Sequence, residues 1–286
     1  MFVKLLKHDM KAVWRMWWFL LPAVPVLSLI ASLLLRFRLA CEAAEQTGNV
    51  LYTFASLALM LVFGIYIAST FYTTVLIFMR FYKNLYTDEA YLTFTLPVKR
   101  GTILLAKTAN AMIWQTAHAL VLMIGLLPVL LIAPPSAENG FFLNPEAYVA
   151  IWDFLCEAWE LLGAWLILYA AELLTLALLL EFASITLIQF CITFGATVVK
   201  KAKLVLGIGV YYVLNSILGV VLELVLIFGI FFLVAAVLQL MPDPTYTAAC
   251  TFLGLIPAIG CAAVATWGAM LYCTTRNIIE RKLNLA

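Results

Sequence analysis

The chain is 286 residues long, 66% hydrophobic and only 11% charged, with 17 basic and 15 acidic residues for a net charge of +2. Its charges sit in clusters, whereas a soluble domain spreads them evenly over its surface, so an ordinary soluble fold is excluded. Apolar runs of about 20 residues recur, each able to cross a hydrocarbon core about 30 Å thick, and the expected fold class is all-α: a polytopic integral membrane protein forming one membrane domain over residues 1–286.

Residues 1–15 carry Lys4, Lys7, Lys11 and Arg15, while Phe2, Leu6, Met10, Val13 and Trp17 recur at three- and four-residue spacing. One apolar face with lysines beside it predicts an N-terminal interfacial helix lying in the inner headgroup layer. The following run, 16–35, ends in Arg36 and Arg38 and not in a small-residue cleavage site, so it is read as a retained first span rather than a signal peptide. Further spans are expected at 51–79, 103–133, 161–199, 204–240 and 248–273, six in all.

Charge orients them. With the N-terminus inside, 15 of the 17 basic residues fall on inner segments and only Arg36 and Arg38 fall outside. Both termini are therefore expected in the cytoplasm. An outer segment, 134–160, joins the third and fourth spans. Within it Tyr148, Trp152, Leu155 and Trp159 alternate with Asp153, Glu157 and Glu160, which predicts an amphipathic helix anchored at the outer interface or capping the bundle.

The run 161–199 is too long for one crossing: about 58 Å of helix at 1.5 Å per residue. Counting about 20 residues outward from Lys200, Lys201 and Lys203 places Glu181 and Glu223 at matching depth near the outer interface, with Glu172 beyond it. Glu181 and Glu223 are candidate pathway or pairing residues, as are His118 near mid-membrane on the third span and Gln189 on the fourth. Hydroxyl and amide stripes (Thr186, Gln189, Thr193, Thr197; Tyr212, Ser216, Gly219, Glu223; Tyr66, Thr70, Thr73) read first as helix-packing contacts. No catalytic or metal-binding motif appears. The six cysteines lack metal spacing, and a disulfide among the outer Cys41, Cys156 and Cys250 is possible but not implied. Gly101–Thr108, GTILLAKT, approaches a phosphate-loop pattern, but Ala106 replaces its second glycine and the stretch opens a membrane helix, so no nucleotide site is expected in this chain.

The segment 80–102 is the long polar interruption on the cytoplasmic side. Thr87 is a candidate N-cap, Asp88 and Glu89 follow where a helix dipole favours acids, and Ala90, Tyr91, Leu92, Phe94 and Leu96 form a short apolar run that Pro97 stops before Lys99 and Arg100. A short amphipathic helix between two spans is what a membrane domain needs to receive force from a soluble partner; the plainer reading is a loop lying on headgroups. The stretch TDEAYLTFTLPVKRGTILLAK resembles the signature of permease subunits of bacterial ATP-binding-cassette (ABC) exporters, most specifically over Arg80–Trp114. The six-span layout and the basic N-terminal helix are similar to that family as well.

The resemblance implies a permease dimer, formed with a second copy or a paralogue, in the bacterial cell membrane and in contact with its lipid. It also implies a separate cytoplasmic ABC ATPase carrying ATP and Mg, with no cofactor on this chain, no enzymatic activity of its own and no nucleic-acid partner. By the same match, Asp88, Glu89, Tyr91, Leu92, Phe94 and Pro97 would be the ATPase-coupling positions, with Lys99 and Arg100 at the inner boundary. The cargo moved outward would be amphipathic or apolar: a peptide, lipid or drug-like molecule. Two alternatives stand beside this reading. One is a proton-coupled secondary transporter using Glu181, Glu223 or His118, and the other is a non-transporting immunity or sensory subunit.

Overall fold

The computed structural model describes residues 2–44, 48, 50–87, 89–95, 97–132, 145–198, 205–217, 219–220 and 246–281. Among these residues there is no strand. The helices are α1 (Phe2–Trp17), α2 (Leu20–Ala43), α3 (Val50–Tyr86), α4 (Glu89–Phe94), α5 (Arg100–Ile132), α6 (Pro145–Leu162), α7 (Ala164–Val198), α8 (Val205–Ile217) and α9 (Tyr246–Arg281). Five stretches are long and apolar enough to cross a membrane: Phe2–Glu42, Val50–Tyr86, Arg100–Val129, Ala164–Val198 and Gly254–Arg281. The protein is thus an α-helical membrane-spanning protein. Of the expected span 204–240, residues 221–240 lie outside the described residues. The helices run past several expected boundaries, α3 by seven residues at its C-terminal end and α9 by eight, because amphipathic turns extend a helix beyond the apolar run that hydropathy detects.

The chain divides into two units. The N-terminal unit comprises Val3–Met79 and Ala109–Glu157. Its first two helices meet at Trp18 and Phe19, where Leu21 N donates to Trp18 O at 3.3 Å. Pro22 supplies no N–H to the same carbonyl, so the regular i→i−4 bond is missing there. The buried stripe nonetheless runs on through the joint: Asp9, Val13, Trp17, Leu20, Val24, Ser28 and Ser32. Lys4, Lys7 and Lys11 are exposed as expected for an interfacial helix, but the second half of α1 is packed inside this unit, with Trp17 against Trp114 of α5 at 5.0 Å between ring centroids.

α3 lies antiparallel to α2. Trp17 Nε1 donates to Thr73 Oγ1 (3.3 Å), Tyr66 OH to Val24 O (3.4 Å) and Tyr52 OH to Glu42 Oε1 (2.7 Å), and Arg38 pairs with the same carboxylate (3.1 Å). α5 runs parallel to α2: Trp114 meets Trp17, and one end further on Gly125 faces Val24 and the hydrogen-bonded pair Ser28 and Tyr66.

The C-terminal unit comprises Met1–Phe2, Arg80–Thr108 and Ala158–Ala286. Gly163, at φ +52°, closes α6 with its amide on Trp159 O (2.7 Å). This left-handed cap is open to glycine at little cost, and it separates α6 from α7 inside what hydropathy reads as one run beginning at 161. α7 and α9 are parallel, since Gly254, Gly260 and Gly268 face Glu172, Leu176 and Phe182 in rising order. α8 packs on α7: Gly207 abuts the Cys191 backbone, while Val210, Tyr211 and Leu214 pack on the cluster of Leu187, Cys191 and Leu271.

α6 is amphipathic as expected. At about 100° per residue, Trp152, Leu155 and Trp159 share one face while Asp153, Glu157 and Glu160 share another. All six side chains are exposed. Cys41 and Cys156 are free thiols and form no disulfide with each other; the Cys250 side chain lies outside the described residues.

Candidate functional site

The C-terminal end of α3, α4 and the first turns of α5 form a connected piece of the C-terminal unit, anchored at both ends. Phe81 and Leu85 are buried on the last turns of α3, and the Tyr86 hydroxyl shares a hydrogen bond of 2.6 Å with Thr193 Oγ1 of α7. On the α5 side, Ile103, Leu104 and Ala106 are buried, and Thr108 Oγ1 lies 2.9 Å from Gln189 Oε1 on the same face of α7. The Thr186, Gln189 and Thr193 stripe of α7 is thereby a packing surface for α3 and α5, and only Thr197 of that stripe is exposed.

Between these anchors the chain turns twice. The Thr87 hydroxyl donates back to Lys83 O at 2.5 Å. It closes α3, and the expected N-cap bond from an α4 amide to this hydroxyl oxygen does not appear among the described residues. α4 opens with Ala90 N donating to Thr87 O at 2.8 Å. Ala90 is its buried residue, which turns Tyr91 (70% exposed) and Leu92 (69% exposed) outward. Thr95 Oγ1 donates to Leu92 O (2.9 Å) and ends the helix. Pro97 and Lys99 are exposed, and the Lys99 carbonyl accepts from Thr102 N (2.9 Å) and Ile103 N (3.3 Å) to begin α5.

Two fastenings hold α4 in place. In the first, the Asn84 amide, oriented with its nitrogen toward Glu89, donates to Glu89 Oε2 at 2.9 Å while its oxygen accepts from Lys107 Nζ at 2.6 Å. A carboxylate on α4 is thus joined through one amide to an ammonium on α5 that is only 8% exposed. In the second, the Arg100 guanidinium lies 5.2 Å from the centre of the Phe94 ring and donates through Nη1 to Ile279 O at 3.0 Å. A cation at the last carbonyls of α9 is favoured by that helix's dipole and by direct hydrogen bonding. Beside it, Gly101 passes close to the Arg276–Glu280 ion pair; a Cβ there would stand 2.9 Å from Arg276 Nε.

The residues expected to couple to a partner, and the inner-boundary pair Lys99 and Arg100, therefore divide. Glu89, Phe94 and Arg100 are engaged internally and hold the segment. Tyr91, Leu92, Pro97 and Lys99 face outward, and Asp88 lies outside the described residues. Asn84 and the burial of Lys107 escaped the sequence reading. A lysine seven residues inside an apolar helix was the available signal, because a buried ammonium requires an acceptor.

The other candidates are dispersed. Glu181 is half-buried on α7, Gln189 is buried beneath Thr108, and Glu223 lies outside the described residues. Glu172, half-buried on α7, faces Gly254 of α9. His118 belongs to the N-terminal unit, where it is fully buried with its ring nearly perpendicular to that of Trp17, 6.3 Å between centroids.

No family model matches the chain. No curated protein and no solved structure is similar to it either.

Proposed function

We propose that this chain is the membrane-spanning subunit of an ATP-driven exporter and that α4 is the handle by which a separate cytoplasmic ATPase moves it. The observation that carries the reading is the pairing of an outward Tyr91–Leu92 edge with a mount fastened at Tyr86–Thr193, Asn84–Glu89–Lys107 and Arg100–Ile279. Exposed apolar side chains on a floppy loop would transmit nothing. On a helix tied to α5, α7 and α9, a push on Tyr91 becomes a rigid-body displacement of spans. The resemblance of Arg80–Trp114 to ABC exporter permeases supports the same assignment, with ATP and Mg held by the partner and a second permease completing the path.

Six crossings with both ends in the cytoplasm follow from this reading. Parallel α7 and α9 require the chain between them to return across the bilayer, and α8, packed on α7, starts that return. Residues 204–240 are apolar enough to complete it. The basic residues Lys83, Lys99, Arg100, Arg276 and Arg281 gather at one end of the C-terminal unit, near the Arg100–Ile279 contact, as an inner face should.

The test is affinity purification of the full chain from its native membrane. A phosphate-loop ATPase should co-purify in stoichiometric amount and confer ATP hydrolysis. The double variant Tyr91→Asp/Leu92→Asp should insert normally and lose at least about 90% of that partner, since an exposed apolar anchor replaced by charge typically costs a factor of ten or more. Recovery of the partner at the wild-type level would overturn the docking role of α4.

A further inference from the structure

Asn110, Trp114 and His118 stand at four-residue spacing on α5, which places them on one face over two helical turns. They are 5%, 6% and 1% exposed. Each presents a buried polar atom with no hydrogen-bond partner among the described residues: Asn110 Oδ1, Trp114 Nε1, and both His118 ring nitrogens. Neighbouring polar groups are already committed. Trp17 Nε1 donates to Thr73 Oγ1 (3.3 Å), and Thr73 spends its own hydrogen on Ser69 O (3.0 Å). Gln115 Nε2 donates to Thr74 Oγ1 (3.0 Å), whose hydrogen goes to Thr70 O (2.9 Å).

We propose that this face of α5 binds water: a short file of ordered water molecules inside the N-terminal unit, held by Asn110, Trp114 and His118. The chemistry selects the ligand. The amide oxygen only accepts, the indole N–H only donates, and a neutral imidazole does one of each. A cation would meet the indole N–H with the wrong sign, and an anion would do the same at the amide oxygen. Water donates and accepts, and it is small enough for a site walled by Trp17 and Trp114. Successive residues stand four apart, about 6 Å of helix rise, a gap that one or two hydrogen-bonded waters span. Three such orphaned groups in a row are a polar seam built into the bundle. The proposal does not depend on an ATPase partner and stands if the exporter reading fails.

Radiolytic hydroxyl-radical labelling of the full chain in lipid nanodiscs, read residue by residue by mass spectrometry, tests it. Radicals form in place from bound water, so buried side chains beside such water are oxidised. After correction for intrinsic reactivity, Trp114 and His118 should be labelled at least about tenfold faster than the buried Phe78. His118→Phe should bring Trp114 down to the Phe78 level, whereas His118→Asn, which keeps a donor and an acceptor, should hold it within about threefold of wild type. Labelling of Trp114 and His118 no faster than Phe78 would overturn the proposal. Trp114 labelling that His118→Phe leaves unchanged would overturn it too, because the water would then not be held by the histidine.

Discussion

Asn84 does the most for the mount with the fewest atoms. One amide meets a carboxylate with its donor and an ammonium with its acceptor, so Glu89 and Lys107 are held without touching each other. Hydrogen bonds to charged groups contribute about 1.5–3 kcal/mol, and Lys107 is buried enough for that range to apply. Asn84→Ala should therefore lower stability by about 1–3 kcal/mol, measured by thermal unfolding in micelles. Combined with Lys107→Met it should give less than the sum of the two single losses. Strict additivity would mean that the two side chains do not share a network. The same geometry changes what a mutation at Glu89 means: reversing its charge breaks the mount as well as any contact with a partner. Tyr91 and Leu92 are the cleaner probes, because their side chains are exposed.

Among the elements, α7 and α9 show how close packing is written in the sequence as glycine and read only in the structure. A Cβ at Gly268 would lie 2.8 Å from Phe182 Cδ1 and 3.4 Å from Ala183 Cα. Both neighbours are stiff, one a ring and the other backbone, so α9 would have to withdraw. Gly268→Ala should destabilise by about 1–3 kcal/mol, as overpacking typically does. Gly64→Ala on α3 meets nothing within 4 Å and should be neutral or stabilising by up to about 1 kcal/mol from helix propensity alone. Parallel melting curves of the two variants decide it, and equal shifts in the same direction would contradict the packing argument. α4 was readable in outline: the acidic start, the aromatic run and the stop before Pro97 all appear in the structure. Its fastening was not, because Arg100 is secured by Ile279, 179 residues away. The division of α6 from α7 was readable from the amphipathic run that ends at Glu160, and the structure moves it only to Gly163, whose backbone angle makes the break.

On the scale of the whole molecule, helix directions alternate within each unit in the way successive membrane crossings demand. α2 and α5 run together with α3 against them, and α7 and α9 run together with α8 packed on α7. The proposed topology puts α4 inside and α6 outside. In a cysteine-free background, Asp153→Cys should react with a membrane-impermeant maleimide added outside right-side-out vesicles, and Thr93→Cys only after permeabilisation. Both sites reacting from the same side would rule out the alternation.

Composition, apolar run length and basic-residue clustering were enough to determine a helical membrane protein and to mark 80–102 as the segment set apart, because hydropathy and charge are sums over neighbouring residues. Only the tertiary structure decided which side chains of that segment hold it and which face outward. It also decided that α1 is packed through its second half and that α5 carries a polar seam. Those properties depend on which helix lies opposite, and the residues opposite stand as far as 107 positions (Tyr86–Thr193) and 179 positions (Arg100–Ile279) away along the chain.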